Sequence, residues 1–244
     1  RCSACTSVRC TSTRASAAPV GPVGTRTPPA ARTAAGSRVR APDVASPTVA
    51  VCDLDGRALV ARDVDQEVGL TPDVLIPRPE TEHLVDWMIR EVKAGRMAQP
   101  SSLLDVATGS GCIGLTLATA WKDCRVLLSD ISEEALDLAR MNASRLGLHQ
   151  VKLVRSDLFE KVTGSFDLVT ANLPYIPSAE ISTLSREVRR DPVLALDGGP
   201  DGMEIIRRFL IEVKKHLLPS GLIVLEVGHD QGREVADQAT ECGF

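Results

Sequence analysis

The 244-residue chain is long enough for one ordinary domain plus further segments, and 43% hydrophobic with 25% charged residues is the balance of a globular fold. No apolar run approaches the ~20 residues that a membrane span needs. The net charge of −4 divides into +6 over residues 1–48, where seven Arg face the single acid Asp43, and −10 over the remainder. An acidic body is a poor electrostatic match for a phosphate backbone, which argues against direct nucleic-acid binding.

Residues 1–62 are rich in Ala, Arg, Ser, Thr and Pro, and sustain no apolar period of 3.6 or 2. They are expected to be a disordered segment, or an organellar transit peptide directing the chain to a matrix rather than the cytoplasm. The chain opens on Arg1 with no Met before Met88, which reads as a sequence whose natural start lies upstream. Cys2, Cys5 and Cys10 lack a His or fourth Cys at zinc-binding spacing, so no metal site is expected. The odd total of seven cysteines argues against a disulfide framework and for a reducing compartment.

Residues 63–100 read as a connecting strand and helix. Val74-Leu75-Ile76 is predicted as the strand, closed by Pro77-Arg78-Pro79. Glu80 and Glu82 then suit the first turn of a helix whose stripe is Leu84, Val85, Met88, Ile89 and Val92, with Gly95 as its stop. Residues 101–244 alternate strand and helix. Strands are predicted at 103–107, 125–129, 151–155, 166–171 and 222–227, with helices at 112–121, 132–146 and 203–218. Ser132 is a natural N-cap and Gly147 a natural stop. The expected fold is α/β, a doubly wound and mainly parallel Rossmann-like sheet that ends before its last strands, with ligands at the strands' carboxyl ends.

Each candidate motif falls at such an end. Strand one closes in Asp105-Val106-Ala107-Thr108-Gly109-Ser110-Gly111, where glycines permit a tight turn and close ligand approach. Strand two ends in Asp130, an acceptor for two ribose hydroxyls. After strand three, Asp157 suits an adenine amino group and Leu158 the ring's face. Gly109, Gly111 and Gly114 also satisfy the dinucleotide pattern G-x-G-x-x-G. Acids after strands one and three would repel a pyrophosphate, however, and the four dispersed histidines form no hydride-transfer site. S-adenosyl-L-methionine fits these acids better.

Strand four ends in Asn172-Leu173-Pro174-Tyr175. A conjugated NH2 nitrogen is a poor nucleophile, because its lone pair is shared with the neighbouring π system. The Asn172 side-chain carbonyl and the Leu173 or Pro174 backbone carbonyl are placed to accept both N–H bonds and favour charge on nitrogen. Tyr175 is placed to stack on the planar group. Catalysis then rests on positioning and electrostatics, with no obligatory general base.

Taken with Pro77-Arg78-Pro79-Glu80-Thr81-Glu82, these motifs resemble the HemK/PrmC-type release-factor glutamine methyltransferases in order and spacing. Glu187-Val188-Arg189, residues 195–199, Asp201-Gly202, residues 225–228 and Gln231-Gly232 extend the likeness over about residues 68–244. It implies methyl transfer from S-adenosyl-L-methionine to the glutamine amide in the Gly-Gly-Gln loop of class I peptide chain release factors; the chain is expected to be a cytoplasmic monomer. By the same resemblance Ala107–Gly111, Asp130, Leu158 and Asn172 line the cofactor site, and Asn172–Tyr175 receive the glutamine. The chain departs from the family at Leu173, where Pro is usual, in residues 1–60, and in stopping before the family's last two strands. Ribosomal-protein glutamine methylation, adenine methylation of RNA or DNA, and a non-catalytic cofactor-binding fragment are the rival readings.

Overall fold

The computed structural model describes residues 69, 71 and 74–244. The expectations for residues 1–62, the amino-terminal cysteines included, lie outside them. The first described helix, α1 (Pro79–Lys93), starts with Pro in its first turn, has Glu80 and Glu82 against the positive dipole end, and Arg90 and Lys93 at the other. Gly95 beyond it takes φ +69°. Val74–Ile76 is not a strand. No sheet edge lies against it; the Ile76 N–H instead donates to the Asp191 carboxylate at 3.3 Å, and Val74 packs on Ala135 and Leu138.

The elements β1 (Ser102–Val106), α2 (Cys112–Ala120), β2 (Arg125–Asp130), α3 (Glu133–Arg145), β3 (Lys152–Arg155), β4 (Phe166–Asn172), α4 (Glu204–Val213), β5 (Leu217–Glu226) and α5 (Gly232–Glu241) follow. The sheet order is β3-β2-β1-β4-β5, and every neighbouring pair is parallel. The doubly wound reading therefore holds, and α5 is the helix that the sequence reading did not anticipate. The predicted helix 203–218 is shorter: α4 ends at Val213, a 3-10 turn follows, and β5 already begins at Leu217. Ser132 caps α3 as expected, its side chain accepting from the Ala135 N–H.

Alternation along β1 and β4 divides the core into two layers. Leu103 and Leu168 face one layer with Met88 and Ile89 of α1 and Leu115 and Leu117 of α2. Leu104, Val106, Val169 and Ala171 face the other with Phe209 and Leu210 of α4 and Val235 of α5. Each such fully buried side chain contributes about 1.5–3 kcal/mol over its exposed state. With both faces covered, the carboxyl edge is the free place for a ligand. Both chain crossovers open there, on either side of β1, at the switch point of the sheet.

Candidate active site

A cavity lies over this edge, lined by the loops after β1, β2, β3 and β4 and roofed by Val74–Thr81 and Pro192–Ala195. Ala107, Thr108, Gly109, Ser110, Asp130, Asp157, Leu158, Asn172, Leu173 and Pro174 all stand in its wall. Asp105, Gly111 and Tyr175, also singled out from the sequence, do not.

Asp105 is fully buried beneath the loop. One carboxylate oxygen accepts from the Thr108 hydroxyl at 2.6 Å and the Gly114 N–H at 3.1 Å, and the other from the Thr170 hydroxyl at 2.7 Å. It pins the turn from below and offers nothing to a ligand. Burial pushes its carboxyl up to about 6 in spite of these three donors. The glycines divide their labour too. A Cβ on Gly109 would meet nothing within 4 Å, whereas one on Gly111 would come 2.7 Å from Leu115 and one on Gly114 2.3 Å from Leu128. Gly109 opens the wall; Gly114 lets α2 pack against β1 and β2, and Gly111 lets the turn close on Leu115 and on Ala139 of α3. Asn142 of α3, fully buried, completes the frame by donating to the Ser110 carbonyl at 2.9 Å and bonding both backbone groups of Gly69.

Asp130 faces the cavity. Each of its oxygens takes one backbone donor, Gly109 N–H at 2.8 Å and Ser132 N–H at 3.0 Å, and a carboxylate has about four lone-pair positions. The rest are available to a diol. Burial raises its pKa, with the Ser132 and Gly109 N–H groups opposing. Ile131 beside it is 43% exposed in the cavity wall, an apolar surface for a flat ring that the sequence reading missed; an aliphatic residue directly after the strand-two acid was the available signal. Asp157 pairs with Arg208 of α4 at 2.8 Å, so an adenine amino group would share it with a guanidinium. Ala107 at φ +53° and Leu158 at φ +45° hold left-handed conformations that cost a non-glycine residue about 1–3 kcal/mol. Both stand in the wall, so the strain is located where the backbone must bend round a ligand.

At the end of β4 the Asn172 Oδ1 atom is buried, with no hydrogen-bond partner among the described residues. Its Nδ2 donates to the Thr81 hydroxyl at 3.4 Å, and that hydroxyl donates to the Glu226 carboxylate at 2.6 Å. Thr81 and Glu226 were quoted from the sequence only as members of motifs; their meeting over 145 positions carries no local signal. Leu173 is 2% exposed, packed into the second core layer while still reaching the cavity. Tyr175 is outside the cavity lining. Its ring packs on the second layer, its carbonyl accepts from the Gln231 side chain at 3.0 Å, and burial beside Glu226 and Glu80 raises its hydroxyl pKa. Gly198 and Gly202 explain the position: a Cβ on either would strike the Tyr175 backbone, at 2.8 and 2.4 Å. The loop after β4 is thus clamped from outside by the loop before α4. Arg78 in turn bridges to Asp191, which is 5% exposed, joining the two halves of the roof.

An adenosine-bearing sulfonium fits what is present. Asp130 matches the ribose diol, Ile131 and Leu158 the ring faces, and the partnerless Asn172 oxygen a donor arriving from the cavity.

Residues 87–188 match the methyltransferase small domain family. Over 176 residues the chain is 42% identical to the release factor glutamine methyltransferase of Moorella thermoacetica, covering 71% of this chain and 61% of that protein. It is 43% identical over 174 residues to the protein of the same name from Gloeobacter violaceus, covering 70% and 60%. The resemblance carried by the motifs is borne out, over about three fifths of the length of these curated relatives. The fold is shared with a ribosomal protein L11 methylase from Lactobacillus delbrueckii subsp. bulgaricus, at TM-score 0.52 and 22% identity over 70% of this chain and 71% of that one.

Proposed function

We propose that this chain transfers a methyl group from S-adenosyl-L-methionine to the side-chain amide nitrogen of a glutamine, that of the Gly-Gly-Gln loop of class I peptide chain release factors. The observation that carries the reading is the Asn172 oxygen, a buried acceptor without a donor among the described residues, on a side chain that lines the cavity. A buried polar group left unpaired costs about 1–3 kcal/mol, and the N–H of an incoming amide relieves that cost. The named relatives supply the substrate class.

Asp130 would hold the ribose, Ile131 and Leu158 the adenine, and the Ala107–Ser110 turn the remainder of the cofactor, which supplies an electrophilic methyl group. Asn172 Oδ1 accepts one N–H of the glutamine amide, and the Leu173 or Pro174 carbonyl is placed for the other. Holding both turns the nitrogen lone pair out of conjugation and stabilises the positive charge that grows on nitrogen as the new C–N bond forms. The surplus proton then leaves to solvent. Loss of water from the roofed cavity strengthens each of these dipoles.

The test combines the chain, S-adenosyl-L-methionine and a class I release factor, with the mass of the proteolytic peptide containing Gly-Gly-Gln as readout. One added methyl on that glutamine is expected. Cofactor binding without an added methyl would overturn the substrate assignment.

A further inference from the structure

We infer that Glu226, acting through Thr81, is a positioning residue that sets which way round the Asn172 carboxamide stands. This deepens the reading above and rests on it for its catalytic consequence, though not for its geometry.

An Asn side chain presents a carbonyl oxygen on one side and an NH2 on the other, and the two fit the same space. The function proposed needs the oxygen towards the cavity, because an NH2 there would face the NH2 of the glutamine. Packing shape does not distinguish the two orientations; hydrogen-bond polarity does. Thr81 has a single hydroxyl proton. The Glu226 carboxylate is an acceptor only, and at 2.6 Å it takes that proton. The Thr81 oxygen is left with lone pairs alone towards Asn172 and receives Nδ2 at 3.4 Å. The Asn172 side chain also contacts the Glu226 carboxylate, which again accepts. Both neighbours on that side therefore demand the NH2, and Oδ1 is turned to the side where it has no partner. The order of command runs from the charge on Glu226 to the Thr81 proton to the Asn172 amide.

The elements that bring the three together are distant in sequence. Thr81 lies in the first turn of α1, Asn172 ends β4 and Glu226 ends β5. The β4–β5 register places Asn172 directly beside Glu226. Thr81 is 3% exposed, so water does not compete for its proton. Glu80 and Arg78 flank the carboxylate with opposite effects on its charge, and Tyr175 and Cys112 also feel it.

A double-mutant cycle with Thr81→Val and Glu226→Gln tests the relay, on the full chain with S-adenosyl-L-methionine and a Gly-Gly-Gln release factor. Valine keeps the shape of Thr81 without its hydroxyl, and glutamine keeps the shape of Glu226 without its one-way polarity. Each single change should lower kcat about tenfold, the effect of losing one oriented hydrogen bond, with KM for the cofactor unchanged. The double variant should be no slower than the slower single, since one pathway is cut twice. Thr81→Ser should recover most of the loss seen with valine. Multiplying losses, or wild-type kcat in Glu226→Gln, would overturn the relay. The Asn172 side-chain amide resonances of the cofactor-free protein give an arm independent of turnover. They should shift in Glu226→Gln and Thr81→Val and stay in place in Thr81→Ser; no shift in the first two would also overturn it. A wild-type chain that methylates no glutamine would sink the proposed function, and this spectroscopic arm would still decide the relay.

Discussion

The β1–β2 side of the cavity and the β4–β5 side differ in how far along the chain their hydrogen bonds reach. On the first, Asp105 holds Thr108 and Gly114 at separations of 3 and 9 residues, and Asp130 holds Ser132 and Gly109 at 2 and 21. On the second, Asn172 meets Thr81 across 91 residues, Thr81 meets Glu226 across 145, and Arg78 meets Asp191 across 113. The cofactor side rests mainly on two adjacent parallel strands, with Thr170 of β4 reaching Asp105 across 65 residues and Gly69 reaching Asn142 across 73. The transfer side exists only when α1 and the loop before α4 have docked on the far half of the sheet. On the proposed function, binding a nucleoside and delivering a methyl group should therefore be separable, and substitutions should act more on one than on the other.

The largest separation is expected from Asn172→Ala. It removes the acceptor for the glutamine amide, and kcat should fall about 10²- to 10³-fold, the scale for losing one preorganised polar contact in a transition state. Cofactor affinity by calorimetric titration should change far less; equal losses in both would mean that the two sides are one unit. Next is a pH effect that belongs to Asp105. The folded carboxyl of Asp105 lies at about 6, above its usual 3.8, so the native state holds the proton more tightly than the unfolded chain does. The Asp105 contribution to stability should then be greatest below about 4, fall by an amount of order 3 kcal/mol as the pH rises through about 6, and be flat above. Urea unfolding across that range would show the slope, and Asp105→Asn should remove this contribution.

A smaller effect belongs to the transfer side. Arg78→Ala strands the buried Asp191 carboxylate, whose pKa burial already raises more than Arg78 lowers it. It should cost about 2 kcal/mol in thermal unfolding, the scale of one hydrogen bond to a charged group, while S-adenosyl-L-methionine still binds. Smallest is Asp130→Ala, expected to weaken cofactor binding by about 1–2 kcal/mol and leave kcat at saturating cofactor near the wild-type value. A large fall in kcat there would blur the division between the sides.

The sequence by itself determined the α/β class, the five strands and the first two helices after residue 102, the N-cap at Ser132 and the strand-end position of Asp130, Leu158 and Asn172, because period, glycine and capping signals act within a few residues. It also determined that Asp130, Leu158 and Asn172 reach one edge, since parallel strands put their ends together. Tertiary structure decided the rest. Asp105 and Asp130 end neighbouring strands and look alike in sequence. Pleat alternation turns the first under α2, against Gly114 and Thr170, and the loop turns the second to the cavity. Val74–Ile76 has a strand's composition but no edge to join. Tyr175 was assigned to the substrate from its motif; that the loop before α4 closes on its backbone at Gly198 and Gly202 is set by tertiary packing. The meeting of Thr81, Asn172 and Glu226 follows from strand order and the docking of α1, quantities that no local pattern encodes.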